Sequence, residues 1–442
     1  MYADLKLDDL VIRSSSHTPF FGVYLASHAI SDALCMCHAS VGCKVKTQQH
    51  LAPHDGIQDA HNRMRYSQFI DEDLIQGSTE QLESEIVAFA RRLKSQLVVI
   101  DSSTPISLQA QPMAPVLERM RDKTGVDVIA VPTRNYQDDL YAGYAATIGA
   151  IFKRQFELYP PDPQPDEVSV VGLPFDRYEG DSLGNVAEMR RMLAGIGLKA
   201  PAIYLAGEPY AHLAHTTRAR AHLLLPWAHA QARDLQKIPQ LQANTLHKLG
   251  LPVGFAGTKR WLESVAAALE IPQNRAETFM QAELALAKPL AELARRKLRG
   301  RKFAIFAEAP RLAGLTTLLT ELDMVPSVLA VTHFRTGDVA VAQKMLADAG
   351  VRLPEDVLWL QDPTPAQVQQ LAAGRQRESS TLVHTSILLG STIERESLRA
   401  ANLPFLEVTF PSEARHYLRP APWLGVQGAL RVAEEVLQLL GG

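Results

Sequence analysis

Leu34-Cys-Met-Cys-His-Ala-Ser-Val-Gly-Cys43 is the stretch on which the fold turns. Leu34 to His38 reads as a short apolar strand. Ala39-Ser-Val-Gly-Cys is the loop leaving its carboxyl end, where open α/β sheets place their sites. The same ten residues hold every cysteine of the 442-residue chain: Cys35, Cys37 and Cys43. A buried structural thiol needs no neighbours, whereas a soft metal centre does. On a strand Cys35 and Cys37 share a face, and Cys43 lies beyond it on the loop. Cys-x-Cys-x5-Cys matches no standard zinc or ferredoxin spacing, so two buried strand cysteines plus one loop cysteine is the competing reading. Gly42 lets the backbone approach a ligand closely. Three thiolates leave a four-iron cluster one ligand short, so another ligand has to come from elsewhere.

Outward from this stretch, strand and helix alternate. Thr18-Pro19 predicts a helix to about Ala33, with Thr as N-cap and Pro at the first position. Ser78-Thr-Glu-Gln81 predicts a capping box and a helix to Lys94. Leu97–Asp101 and Val126–Val131 read as strands, and Ala114–Lys123 and Asp139–Arg154 as helices. Such β-α-β units favour parallel sheets covered on both faces. Pro160-Pro-Asp-Pro-Gln-Pro165 reads as a linker. A second round follows: strand Glu167–Gly172, helix Leu183–Ile196, strand Pro201–Leu205 and a long helix Arg275–Leu298. A third has strands at Phe303–Ala307, Ser327–Val331, Val357–Leu360, Thr381–His384 and Phe405–Val408. Its helices fall at Arg311–Leu322, Val339–Ala349, Thr392–Ala401 and Val426–Leu440. The expected fold is α/β, with three Rossmann-like domains at 1–160, 165–298 and 300–442.

Composition excludes several classes. A net charge of −3 offers no broad basic surface for nucleic acid. No run of 18 apolar residues exists, so no membrane partner is expected. The acidic start Met1-Tyr-Ala-Asp-Leu-Lys-Leu-Asp-Asp lacks the apolar core of a signal peptide. Three cysteines are too few for a disulfide framework, which points to the cytoplasm. G-x-G-x-x-G after a strand and G-x-x-x-x-G-K-[ST] are both missing, and Gly254-Phe-Ala-Gly257-Thr-Lys is too short for a phosphate loop. This chain is therefore expected to bind no nucleotide.

Histidines supply the other candidates. His38, His50, His54 and His61 cluster in sequence, but their spacing is not helical, so one metal site from all four is not expected. His416 follows a strand end, flanked by Arg415 and Arg419. That cationic loop could meet a substrate carboxylate.

The run Cys37-His-Ala-Ser-Val-Gly-Cys43 resembles the His-Gly-x-x-Gly-Cys loop of nitrogenase component 1 subunits. That family includes catalytic nitrogenase chains, cofactor-assembly scaffold chains and protochlorophyllide and chlorophyllide reductase chains. The resemblance spans the chain. Asp71-Glu-Asp-Leu-Ile-Gln-Gly-Ser-Thr-Glu-Gln-Leu82 is similar to the family's acidic-to-glycine segment. Leu97-Val-Val-Ile-Asp-Ser-Ser-Thr-Pro105 is similar to the strand that ends in the family's Thr-Cys. Val170-Val-Gly-Leu-Pro174 looks like its second-domain start. Phe410 to Gly428 is similar to the β-type chain end.

The resemblance implies a two-component reductase. A separate ATP-hydrolysing iron–sulfur protein passes electrons to a cluster between two component 1 chains, and thence to a substrate such as a tetrapyrrole. It carries Cys43 over as the metal ligand, with Gly42, Cys35, Cys37 and His38 around the cofactor. Where cluster-holding relatives place cysteines before and after the loop, this chain has Thr18 and Thr104. Hydroxyls are poor ligands for soft iron. The resemblance thus implies a cysteine-poor subunit sharing an iron–sulfur cluster with a homologous, cysteine-richer partner. The alternative it leaves open is a scaffold subunit for metallocluster assembly.

Overall fold

The computed structural model describes residues 18–39, 63–67, 77, 79–103, 112–133, 138–242, 245–375, 382 and 384–441. They form two compact units. One comprises His17–Val186 and Leu198–Lys248, and the other Ala187–Gly197 and Leu249–Gly442.

The first unit holds two sheets. In one, β1 (Ala33–His38), β2 (Met64–Tyr66), β3 (Leu97–Ser102) and β4 (Asp127–Ala130) lie in the order β2-β1-β3-β4. All its pairings are parallel. Strand alternation then sorts the side chains. Leu34, Met36, Val98, Ile100 and Val128 pack on helices α2 (Thr79–Leu93) and α3 (Ala114–Thr124), through Leu82, Ile86, Val116 and Met120. The opposite face carries Cys35, Cys37, Val99 and Asp101, in the register Cys35↔Val99 and Cys37↔Asp101. Helix α1 (Pro19–His28) packs on β1 and β3 and on α4 (Leu140–Leu158). Every residue of α1 is buried.

Helix α1 ends earlier than Ala33, the end predicted from sequence. Ile30 forms a parallel bridge with Glu208, and the Ser31 amide donates to the Glu208 carbonyl at 3.0 Å. This distant contact outweighs local helix propensity. Thr18 is extended and its hydroxyl makes no cap bond. Asp139 does cap α4, accepting from the Ala142 amide at 3.1 Å.

The second sheet has the order β6-β5-β7-β8, from β5 (Gln164–Val171), β6 (Lys199–Ile203), β7 (Ala219–Leu224) and β8 (Leu246–Lys248). The proline-rich segment is already strand at Gln164, which pairs with Ala219. Strands β7 and β8 were not foreseen from sequence. Strand β7 holds Arg220 and His222, and these polar residues broke up its apolar run.

His222 is buried against Phe152 and Phe156, and its Nδ1 lies 2.7 Å from Ser169 Oγ. Burial, reinforced by His247, pushes its pKa down to about 3 from the ordinary 6.5. The folded chain therefore keeps His222 neutral where the unfolded chain takes up a proton. Its stabilising contribution is whole above about pH 6.5 and is lost as pH falls towards 3, by about 1.4 kcal/mol per unit. Denaturant titrations between pH 6.5 and 5 should show this steepness in the wild type and a slope shallower by that amount in His222→Gln. Equal slopes would refute the assignment.

The second unit carries β9 (Lys302–Ala307), β10 (Val325–Val331), β11 (Leu358–Gln361), β12 (Thr385–Gly390) and β13 (Phe405–Glu407), in the order β11-β10-β9-β12-β13, all parallel. The strand expected at Thr381–His384 is replaced by β12. Its Ile387, Leu388 and Leu389 are the residues that reach the buried register with β9. Helices Phe255–Ala268 and Pro365–Arg375 were also missed from sequence. Among the described residues no helix is long and apolar enough to cross a membrane.

Candidate cofactor and metal site

The carboxyl end of β1 is held from both sides. The Ser67 amide donates to the Cys37 carbonyl at 3.1 Å, and the Ser103 amide to the His38 carbonyl at 3.0 Å. His38 is buried, with Nδ1 2.6 Å from Ser67 Oγ. Those bonds orient His38 within the sheet edge. Gly42, Cys43, His50, His54, His61 and Thr104 lie outside the described residues.

Cys35 and Cys37 are buried, with their sulfurs 3.8 Å apart. Beside them on β3 is Asp101, which sequence reasoning passed over. It is fully buried, and neither carboxylate oxygen has a hydrogen-bond partner among the described residues. Burial, and then the neighbouring Cys35 thiol, hold its pKa well above the usual carboxylate range. The signal that could have found it is an acid closing the apolar run Leu97-Val-Val-Ile.

As placed, Cys35 and Cys37 do not fit two separate irons of a four-iron cluster. In a four-iron cluster each thiolate holds its own iron. Sulfurs in contact at 3.8 Å suit two ligands of one metal atom instead.

Two further places where an α/β fold could bind a ligand are occupied by the chain's own groups. At the end of β5 the Tyr144 hydroxyl accepts from the Phe175 amide at 2.9 Å and donates to the Leu173 carbonyl at 3.1 Å. In the second unit Gly254 (φ 78°) opens the helix Phe255–Ala268, and the Glu321 carboxylate accepts from the Phe255 and Ala256 amides at 2.7 and 3.1 Å. A helix N-terminus is a ready anion site. Here a side-chain carboxylate occupies it.

The 410–420 loop is likewise engaged internally. Arg415 Nη1 donates to Glu435 at 3.0 Å, and the Tyr417 hydroxyl to the same carboxylate at 3.1 Å. The Ala414 and Arg415 amides donate to Glu407 at 3.0 and 3.1 Å. The guanidinium expected to meet a substrate is committed to an ion pair, while His416 is exposed.

A sequence model of nitrogenase component 1 type oxidoreductases matches residues 18–440. The chain belongs to that family. The nitrogenase molybdenum-iron protein beta chain of Frankia alni is 22% identical over 457 residues, covering 95% of this chain and 80% of that one. The corresponding beta chain of Bradyrhizobium diazoefficiens is 20% identical over 450 residues, covering 94% and 81%. Among solved structures, nitrogenase Cp1 at pH 6.5 superposes with a TM-score of 0.75 at 17% identity, covering 97% of this chain and 93% of that one. Nitrogenase Cp1 at pH 5 gives 0.70 at 14% identity, covering 97% and 89%. These superpositions establish a component 1 fold, as the strand-loop-cysteine reading expected. In this component 1 chain Thr18 stands half-buried at the start of α1, its carbonyl accepting from the Phe21 amide at 3.0 Å.

Proposed function

We propose that this chain is the cysteine-poor subunit of a nitrogenase-like two-component reductase working in the cytoplasm. Each of its three sheets centres a Rossmann-like domain, at 1–160, 165–298 and 300–442. It pairs with a homologous, cysteine-richer chain, doubled to a heterotetramer. Cys43, on the Gly42 loop, is its one ligand to an iron–sulfur cluster shared across that interface. The cluster relays electrons from an ATP-hydrolysing iron–sulfur protein to a substrate such as a tetrapyrrole. His416 and Arg415 belong to the substrate side in this reading, with Arg415 released from Glu435. This chain binds no nucleotide itself.

One observation carries the reading. Family membership spans residues 18–440, and Cys43 is the one cysteine outside β1. Cys35 and Cys37 have the wrong spacing for separate irons.

The test is anaerobic co-purification with a co-expressed homologous, cysteine-richer chain, followed by iron and acid-labile sulfide analysis. Cys43→Ala should abolish the sulfide of the shared cluster and the reductase activity. Cys35→Ala and Cys37→Ala should leave the sulfide in place. Unchanged sulfide in Cys43→Ala would overturn the proposal.

A further inference from the structure

We infer that an exposed leucine stripe on the long helix Gln273–Leu298 is where a second copy of this chain docks, antiparallel and about a two-fold axis at Leu290. The inference rests on the reading above for the doubling it supplies, and it needs nothing from the shared cluster.

The helix is built inside out. Toward its own unit it buries Ala276, Met280, Ala287, Ala291, Ala294 and Leu298, four of which are alanine. A surface helix ordinarily turns its large apolar side chains inward. Here Leu286, Leu290 and Leu293 stay 76%, 55% and 46% exposed. Their spacing of four and three residues puts them on one face, and Ala282 and Pro289 beside them are exposed too. A single exposed leucine needs no account, whereas a contiguous apolar run marks an interaction surface.

The charges select the occupant. Two copies related by a two-fold axis present the same patch to each other, so a position after Leu290 on one meets the position equally far before it on the other. Leu290 then lies on Leu290, and Leu286 falls beside the second copy's Leu293. Seven residues before Leu290 is Glu283, and seven after is Lys297. Seven residues are about two helical turns, so both charges flank the stripe on the same side. Antiparallel pairing therefore sets Glu283 of each copy against Lys297 of the other, and opposes the two helix dipoles. Parallel pairing would set acid on acid and base on base. Glu283 already accepts from Arg191 at 2.8 and 2.6 Å. A carboxylate has lone pairs for a further donor.

The shape agrees. Before the stripe the helix borders an open groove of about 510 Å³, lined by Ala194, Gly195, Arg275, Thr278, Phe279 and Ala282. Gly195 brings its backbone against the Phe279 ring, where a Cβ would lie 2.2 Å from it. The two-fold axis carries the second copy's Gly300 turn, ten residues past Leu290, to this groove, ten residues before it.

The test counts copies by analytical ultracentrifugation of the full-length chain, co-purified anaerobically with the co-expressed homologous chain. The wild-type particle should hold two copies of this chain. Leu290→Glu should hold one, with association weakened by at least about thirtyfold, because two carboxylates meet on the axis. Its acid-labile sulfide and melting temperature should match wild type. Lys297→Glu should weaken association by about tenfold, and Glu283→Lys in the same chain should restore it. Leu290→Cys needs no charge change, and mild oxidation should join it to itself as a covalent dimer. Glu277→Cys, on the other side of the helix, should not crosslink. A wild-type particle with one copy, a Leu290→Glu particle that stays doubled, or a Leu290→Cys chain that stays uncrosslinked would overturn the inference. Crosslinking of Leu290→Cys to the cysteine-richer chain would assign the stripe to that chain and overturn it as well. In each case the sulfide test on Cys43→Ala stands on its own.

Discussion

Gly22→Ala is expected to cost the first unit at least about 3 kcal/mol, the upper end of what overpacking a core imposes. A Cβ at Gly22 would lie 1.8 Å from the Leu140 carbonyl oxygen and 2.5 Å from the Tyr144 nitrogen. Reciprocally, a Cβ at Gly143 would lie 2.0 Å from the Pro19 carbonyl oxygen. Helices α1 and α4 therefore touch backbone to backbone. No side chain can swing aside to relieve the clash, so the helices have to separate. Separation lifts α1 from the face that carries Cys35, Cys37 and Asp101, exposing a helix that is buried along its whole length. Gly143→Ala should cost a similar amount, and the double variant less than the sum, because one displacement serves both. Thermal melts of the full chain are the check. A Gly22→Ala transition within about 2 °C of wild type would contradict it, since 1 kcal/mol moves a domain of this size by about 2–4 °C.

The second large effect is expected at Asp127. It opens β4 and is mostly buried, and three elements meet on its carboxylate. Arg154 Nε of α4 donates at 2.9 and 3.1 Å, the Tyr210 hydroxyl donates at 2.6 Å, and Arg121 of α3 lies within 3.4 Å. Asp127→Ala leaves Arg154 Nε and the Tyr210 hydroxyl without their acceptor, while Arg154 Nη1 keeps Glu157 at 3.0 Å. An uncompensated buried charge costs about 3–5 kcal/mol; with Glu157 still paired to Arg154, the cost falls toward the low end, about 3 kcal/mol. The expected drop is about 10 °C in the melting of the first unit. Asp127→Asn, which keeps an acceptor oxygen, should fall between. A double-mutant cycle with Tyr210→Phe should show coupling of about 1 kcal/mol or more between the two positions. An Asp127→Ala chain as stable as wild type would mean that the network contributes nothing net.

Much of this architecture was legible without coordinates. Short apolar runs such as Leu34–His38 and Phe303–Ala307 carry their strand signal locally, and Asp139 caps its helix three residues on. Misses occurred where distant partners decide. The predicted helix from Thr18 stops at His28 because Ile30 finds Glu208. Strand β12 lies at Thr385–Gly390 because its apolar residues match β9 there. Arg220 and His222 broke the apolar pattern of β7, yet the His222 ring is accommodated by Ser169 and two phenylalanines.

The candidate site divides along the same line. Sequence marks out Cys35 and Cys37 on one face of a strand, because side chains alternate with a period of two. It also marks Cys43 as the cysteine of a glycine loop. It is silent on Asp101, since only the parallel register of β1 and β3 sets that carboxylate beside the thiols and leaves it unpartnered among the described residues. It reads Arg415 as available, since Glu435 lies on another element twenty residues away. The glycine at 254 looks like a weak phosphate loop until Glu321 fills the helix end. By itself, then, the sequence determined the parallel α/β class, the family and the cysteine window, all of which rest on local periodicity and motif order. The tertiary structure alone decided which charges are consumed in pairs and which buried acid is left over, because pairing and desolvation depend on neighbours far apart along the chain.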